Sequence, residues 1–122
     1  SFNKATKIDS RNVATWINRG NILLKMNRSE DALASYQKAL ELNPSSSAAW
    51  YGKGMALNDT GKNDEALTSY NKAIELNPSN AAAWYGKGLV LRSLNSTDES
   101  EKALSKAEAL GYNNISVNSR ET

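Results

Sequence analysis

The sequence predicts an all-α solenoid built of stacked helix pairs. Three observations carry that prediction. Trp16, Trp50 and Trp84 are evenly spaced, since 50 − 16 = 84 − 50 = 34. Each tryptophan sits in a related stretch: Ala48-Ala49-Trp50-Tyr51-Gly52-Lys53-Gly54-Met55-Ala56-Leu57 recurs as Ala82-Ala83-Trp84-Tyr85-Gly86-Lys87-Gly88-Leu89-Val90-Leu91, with a looser copy from Ala14 to Leu23. The downstream half repeats too, Asp64 to Pro78 matching Glu30 to Pro44. A period of this size marks units that cannot bury their apolar faces alone and therefore stack on their neighbours.

Residues 1–12 align with Ser69 to Asn80, with Phe2 for Tyr70, Ala5 for Ala73 and Ile8 for Leu76. They are expected to be the second half of a preceding repeat, helix B only, so the chain reads as a fragment of a longer array. Repeat one is expected over 13–46, with helix A near 13–26 and helix B near 30–42. Trp16, Gly20 and Leu23 lie at i, i+4 and i+7, one face of a helix. Gly20, lacking a side chain, is expected to admit the partner helix closely. Asn27, Gly61 and Asn95 are equivalent and tolerate the left-handed conformation that closes a helix. Ser29, Asn63 and Thr97 are expected to cap helix B. Each is followed by two acids, Glu30-Asp31, Asp64-Glu65 and Asp98-Glu99, which suit the positive end of a helix dipole. Asn12, Ser46 and Asn80 are expected to cap helix A, and Pro44 and Pro78 to end helix B.

Repeat two is expected over 47–80 and repeat three over 81–114. In the last helix B, Ser100 replaces an alanine, Glu101 stands where Leu33 and Leu67 stand, and Glu108 where Leu40 and Ile74 stand. Two carboxylates on the face that would meet a further repeat predict a polar capping helix, closed at Gly111. Residues 115–122 are polar and are expected to form a flexible tail.

This pattern resembles the tetratricopeptide repeat, whose signature runs Trp, Leu, Gly, Tyr, Ala, Phe, Ala, Pro. Counting Trp50 as repeat position 4, Gly54 falls at 8, Ala66 at 20, Tyr70 at 24, Ala73 at 27 and Pro78 at 32. Lys53 and Leu57 depart from the pattern, standing where the family prefers Leu and Tyr, and Arg19 and Lys87 share the position of Lys53. The resemblance implies a right-handed superhelix of helix-turn-helix repeats and says little about function, because function is grafted onto folds. The near identity of repeats two and three is similar to the repetitive arrays common in prokaryotic, especially archaeal, proteins.

Composition narrows the function classes. Lys+Arg 15 against Asp+Glu 13 leaves a charge of +2, which argues against nucleic acid and an anionic membrane as partners. There is no cysteine and no histidine, so thiolate chemistry, sulfur-ligated metal and the commonest general base are excluded. No apolar run approaches membrane-spanning length and no signal pattern opens the chain, so a cytoplasmic location is expected. The Asn-X-Ser/Thr triplets at Asn27, Asn58, Asn95 and Asn114 are what an Asn/Ser-rich chain yields by chance. The acids recur with the repeat, as a scaffold feature does, and form no catalytic constellation. No enzyme activity, metal or cofactor is expected.

The resemblance implies a concave groove lined by helix A. The candidate peptide-binding residues are Ile17, Asn21 and Leu24 in repeat one, Tyr51, Met55 and Asn58 in repeat two, and Tyr85, Leu89 and Arg92 in repeat three. They form a stripe separate from the Trp/Gly/Leu stripe. Some family members grip a chaperone's terminal carboxylate with a clamp of Lys, Asn and Arg. Here Asn21 fits one clamp place, while Ile17, Gly52, Ala82 and Gly86 occupy the others, so chaperone tails are not expected. The floor is instead apolar and partly aromatic, which suits an apolar peptide; Tyr51 and Tyr85 would be its anchors, or would pack on neighbouring helices. Arg19, Lys53 and Lys87 form a ladder, read either as a strip for an acidic partner or as stems covering apolar surface. Trp16, Trp50 and Trp84 are expected to be packing residues. The expected function is a non-enzymatic module with a protein or peptide partner; the alternative is a spacer, or a homo-oligomer formed through the N-terminal half repeat.

Overall fold

The computed structural model describes residues 10–111. They form six α-helices: α1 Ser10–Lys25, α2 Ser29–Leu42, α3 Ser47–Asp59, α4 Asn63–Leu76, α5 Ala81–Ser93 and α6 Thr97–Ala109. Helices α1, α3 and α5 are the A helices and α2, α4 and α6 the B helices. Each A helix packs against the B helix that follows it, and each B helix against the next A helix. Of the half repeat expected over 1–12, residues 1–9 lie outside the described residues and 10–12 belong to α1; the tail expected at 115–122 also lies outside them.

The three A helices end alike. Asn27, Gly61 and Asn95 adopt φ of 63°, 85° and 67°. The N–H of the following residue returns to the carbonyl five residues back: Arg28 to Leu23 at 2.8 Å, Lys62 to Leu57 at 2.9 Å and Ser96 to Leu91 at 2.8 Å. A second bond links Asn27 to Leu24, Gly61 to Asn58 and Asn95 to Arg92. This pair of bonds is the Schellman closure. Helix B starts at once, and its caps are Arg28, Lys62 and Ser96, none with a side-chain capping bond. Ser29, Asn63 and Thr97 are therefore first helical residues and not caps: a single residue separates the left-handed position from the next helix. The Ser29 hydroxyl donates instead to the Asp59 carboxylate at 3.1 Å.

The start of α1 also differs from expectation. The chain is already helical at Ser10, so Asn12 lies inside the helix. Ser10 stands in the register of Pro44 and Pro78, so the proline that marks the other two junctions is absent from this one. At the two junctions that carry proline the expected caps form. The Ser46 hydroxyl accepts the Ala49 N–H at 3.2 Å, and the Asn80 side-chain oxygen accepts the Ala83 N–H at 3.1 Å. The α6 helix closes on Gly111, at φ 103°.

Packing between pairs turns on two tyrosines. Tyr36 and Tyr70 are the largest fully buried side chains among the described residues. Tyr36 lies against Gly20 of its own pair and Gly52 of the next; Tyr70 lies against Gly54 and Gly86. A Cβ built on Gly20 would come within 2.7 Å of the Tyr36 ring, and one on Gly86 within 2.6 Å of the Tyr70 ring. Gly20 thus admits the partner helix closely by making room for its Tyr36 ring. The Tyr36 hydroxyl donates to the Asn21 side-chain oxygen. Burial pushes both phenols far above their ordinary pKa. Around Tyr70 lie Leu57, Ala66 and Val90, with Leu33, Tyr51, Met55, Leu67 and Leu94 packed on them. In the third pair Leu104 takes the tyrosine's place against Gly88. The buried Ser100 hydroxyl donates to the Gly88 carbonyl at 2.8 Å, so this serine is a satisfied core residue. Glu101 and Glu108 are exposed.

The tryptophans pack at the edge of the core and not at its centre. All three are half-buried. The Trp50 indole N–H donates to the Pro44 carbonyl at 2.9 Å and that of Trp84 to the Pro78 carbonyl at 3.0 Å. An indole that keeps one edge near water and one donor satisfied is an amphipathic seam residue. Accordingly, Tyr70→Ala is expected to cost about 3–5 kcal/mol and Trp50→Ala about 1–2 kcal/mol in urea unfolding. Gly52→Ala is expected to cost about 1–3 kcal/mol by overpacking. A Trp50→Ala loss larger than that of Tyr70→Ala would refute this order.

The raised phenol pKa values have a pH consequence. Unfolded tyrosine ionises near pH 10, whereas folded Tyr36 and Tyr70 hold their protons. Their contribution is intact below about pH 10 and is lost as pH rises beyond it, because only the unfolded state releases protons there. Thermal melts from pH 8 to about 11 should therefore show a steep alkaline loss, shallower in Tyr36→Phe/Tyr70→Phe. Equal slopes in the two proteins would count against the buried phenols.

Candidate functional site

Consecutive A helices touch, α1 with α3 and α3 with α5, whereas no contact joins consecutive B helices among the described residues. A stack whose A helices are closer than its B helices curves with the A helices inside. The candidate residues lie on those helices at three equivalent levels: Ile17, Tyr51 and Tyr85; Asn21, Met55 and Leu89; Leu24, Asn58 and Arg92.

Their environments differ. Ile17 and Leu24 are half-buried; both pack on the cluster of Ala32, Tyr36 and Ala56, and Ile17 also on that of Val13, Ala39 and Ala49. Tyr51 and Met55 are half-buried against the Tyr70 cluster, with the Tyr51 and Tyr70 ring centroids 5.9 Å apart at 45°. Asn58, Tyr85 and Leu89 are half-buried, and Asn21 and Arg92 are exposed. The Asn21 side-chain oxygen receives the Tyr36 hydroxyl, a partner the sequence pattern did not indicate. Met55 and Leu89 replace this asparagine in the next two pairs, so the polar character is confined to the first.

Two places needed for a carboxylate clamp are closed by packing. Gly52 and Gly86 are buried beneath the tyrosine rings, and any side chain there would displace a ring. The inner face thus offers half-buried apolar and aromatic groups framed by Asn21, Asn58 and Arg92.

The basic ladder lies on its own tryptophans. The Arg19 guanidinium is 5.5 Å from the Trp16 ring centroid, Lys53 Nζ 4.9 Å from that of Trp50 and Lys87 Nζ 5.1 Å from that of Trp84. The i, i+3 spacing puts each cation above the ring one turn back, within cation–π range. Sequence reasoning had both members of each pair and missed the stacking; the constant spacing was the available signal. Lys38 and Lys106, from the B helices, approach Trp16 and Trp84 to 6.0 and 5.9 Å.

No helix among the described residues is long and apolar enough to cross a membrane. No group of His, Cys, Asp or Glu among them could hold a metal ion.

Among curated proteins, none matches the chain. Solved structures do. The first TPR of Spaghetti (RPAP3), bound to the HSP90 peptide SRMEEVD, aligns with TM-score 0.84 at 22% identity, over 92% of this chain and 89% of that one. MamA aligns with TM-score 0.76 at 29% identity, over 90% of this chain and 64% of that one. YrrB, described as a TPR protein with an unusual peptide-binding site, aligns with TM-score 0.77 at 26% identity, over 91% of this chain and 58% of that one. These likenesses agree with the all-α solenoid. The family model described as Tetratricopeptide repeat matches residues 17–80 and 59–114. With the 34-residue period, the helix pairs and the tyrosine–glycine seams already in place, the chain belongs to the tetratricopeptide repeat family.

Proposed function

We propose that this chain is a non-enzymatic protein-interaction module that holds an apolar peptide segment against the inner face of its A helices. The observation that carries the reading is the inner face itself: Tyr51, Met55, Tyr85 and Leu89 are half-buried side chains on two adjoining A helices. Tyr51 and Met55 are anchored from behind by the Tyr70 cluster, so little of their side-chain entropy remains to be lost on binding. Asn21, Asn58 and Arg92 supply polar contacts at its margins. The peptide-bound relative and the peptide-binding site named for YrrB support a peptide partner for this fold. The buried Gly52 and Gly86 argue against a terminal carboxylate as the recognised group.

One observation favours a second reading, a spacer or self-association element. Ile22 and Met26 of α1 are 57% and 52% exposed. Ala56 and Val90, the equivalents of Ile22, are fully buried against the preceding pair, and Thr60 and Leu94, the equivalents of Met26, are half-buried. In this reading a neighbouring unit covers the α1 face, either in a longer array or from another copy.

Capture on the chain and on Tyr51→Ser/Tyr85→Ser, both verified as helical by circular dichroism, tests the first reading. A protein retained by the first and lost by the second is expected, and identical captures would overturn it. Light scattering over a concentration series tests self-association. Association abolished by Ile22→Lys/Met26→Lys is its expected outcome, and a monomer throughout refutes it.

A further inference from the structure

A groove runs between the two helices of each pair, on the side where the tryptophan lies. The three grooves have volumes of 610, 470 and 560 Å³. None of the inner-face candidates lines any of them. Their charge differs. In the first, Lys38 meets Glu41 at 3.7 Å and Arg28 meets Asp31 at 3.3 Å. In the second, Lys72 meets Glu75 at 3.4 Å. In the third, Ala109 stands in the register of Glu41 and Glu75, so the acid opposite Lys106 is missing. That groove is lined by Lys87, Lys102 and Lys106 against one carboxylate, Glu99, with Trp84, Leu91 and Ala103 as its apolar part. Lys87 and Lys106 both lie over the Trp84 ring, at 5.1 and 5.9 Å.

We propose that the Trp84 groove is a second binding site, which takes a short acidic segment of a partner polypeptide. Side-chain carboxylates sit between the Lys87 and Lys106 ammonium groups, and the segment's aliphatic stems and backbone lie on Trp84, Leu91 and Ala103. Three lysines against one carboxylate leave the groove with an excess of positive charge, which an anion offsets. The indole holds both ammonium groups within cation–π range, so the anion meets a partly ordered pair. A polyphosphate strand fits less well. It would run onto the neighbouring grooves, where Glu41 and Glu75 already occupy the matching lysines.

The test uses the whole chain and a hexaglutamate peptide, followed through the three indole N–H signals by NMR. A saturable shift of the Trp84 signal that weakens with added sodium chloride is expected. Lys87→Gln/Lys106→Gln should lose about tenfold in affinity by calorimetry, Lys106→Gln alone should lose less, and Lys53→Gln should bind as the parent does. An unmoved Trp84 signal, or unchanged affinity in the folded double variant, overturns the proposal. An oligothymidylate that moves the Trp84 signal as strongly as the peptide also overturns it, and assigns the groove to phosphate polymers.

Discussion

The structure depends on one steric constraint: an aromatic ring must be seated between two helix backbones that carry no side chain at the contact. Tyr36 and Tyr70 each meet a glycine from their own pair and one from the next, so a single ring fixes both the packing within a pair and the step between pairs. Ridges and grooves alone would allow a range of helix approaches. A flat ring between two glycines narrows that range, because rotating either helix brings a flanking side chain into the ring. The inner face inherits its regularity from this, since the A helices that carry the candidate residues are also the helices that carry the glycines.

Most of the fold was legible because its determinants are local. The Asn27, Gly61 and Asn95 closures, the Ser46 and Asn80 caps and the proline breaks depend on a few adjacent residues, and a strict period repeats the evidence. The misreadings have physical causes. Ser29, Asn63 and Thr97 have capping side chains, but the Schellman closure places the cap one residue earlier. Ser10 stands where the other two junctions carry a proline, and α1 runs through Asn12. The period shows that the three tryptophans share an environment and says nothing of its depth.

The candidate site was legible in part. The family resemblance picked out its residues, and the period put them at equivalent levels of the A helices. It could not tell how much of each side chain is spent on packing, because the partners come from other helices. Tyr51 leans on Tyr70, nineteen positions on, and Asn21 receives Tyr36 from the facing helix. The cation over each indole was closer to hand, since both residues share one turn of one helix. A charge beside an aromatic at fixed spacing, repeated in every unit, is a feature of the surface and not of the core.

The turn between helix A and helix B shows how such an array can change its length. Arg28, Lys62 and Ser96 each do two things at once: their N–H groups close one helix and their carbonyls open the next, at Ala32, Ala66 and Ser100. No residue in that turn is spare, so an insertion there would break one helix end or the other. The links from helix B to helix A are different, because their ends are held by separate residues: Asn43 and Ser46 at one, Asn77 and Asn80 at the other. Extra residues are better tolerated there, and whole units can be added or removed at those links without disturbing a cap. The chemistry of one shared residue thus sets where the protein can be lengthened: between helix pairs and never inside them.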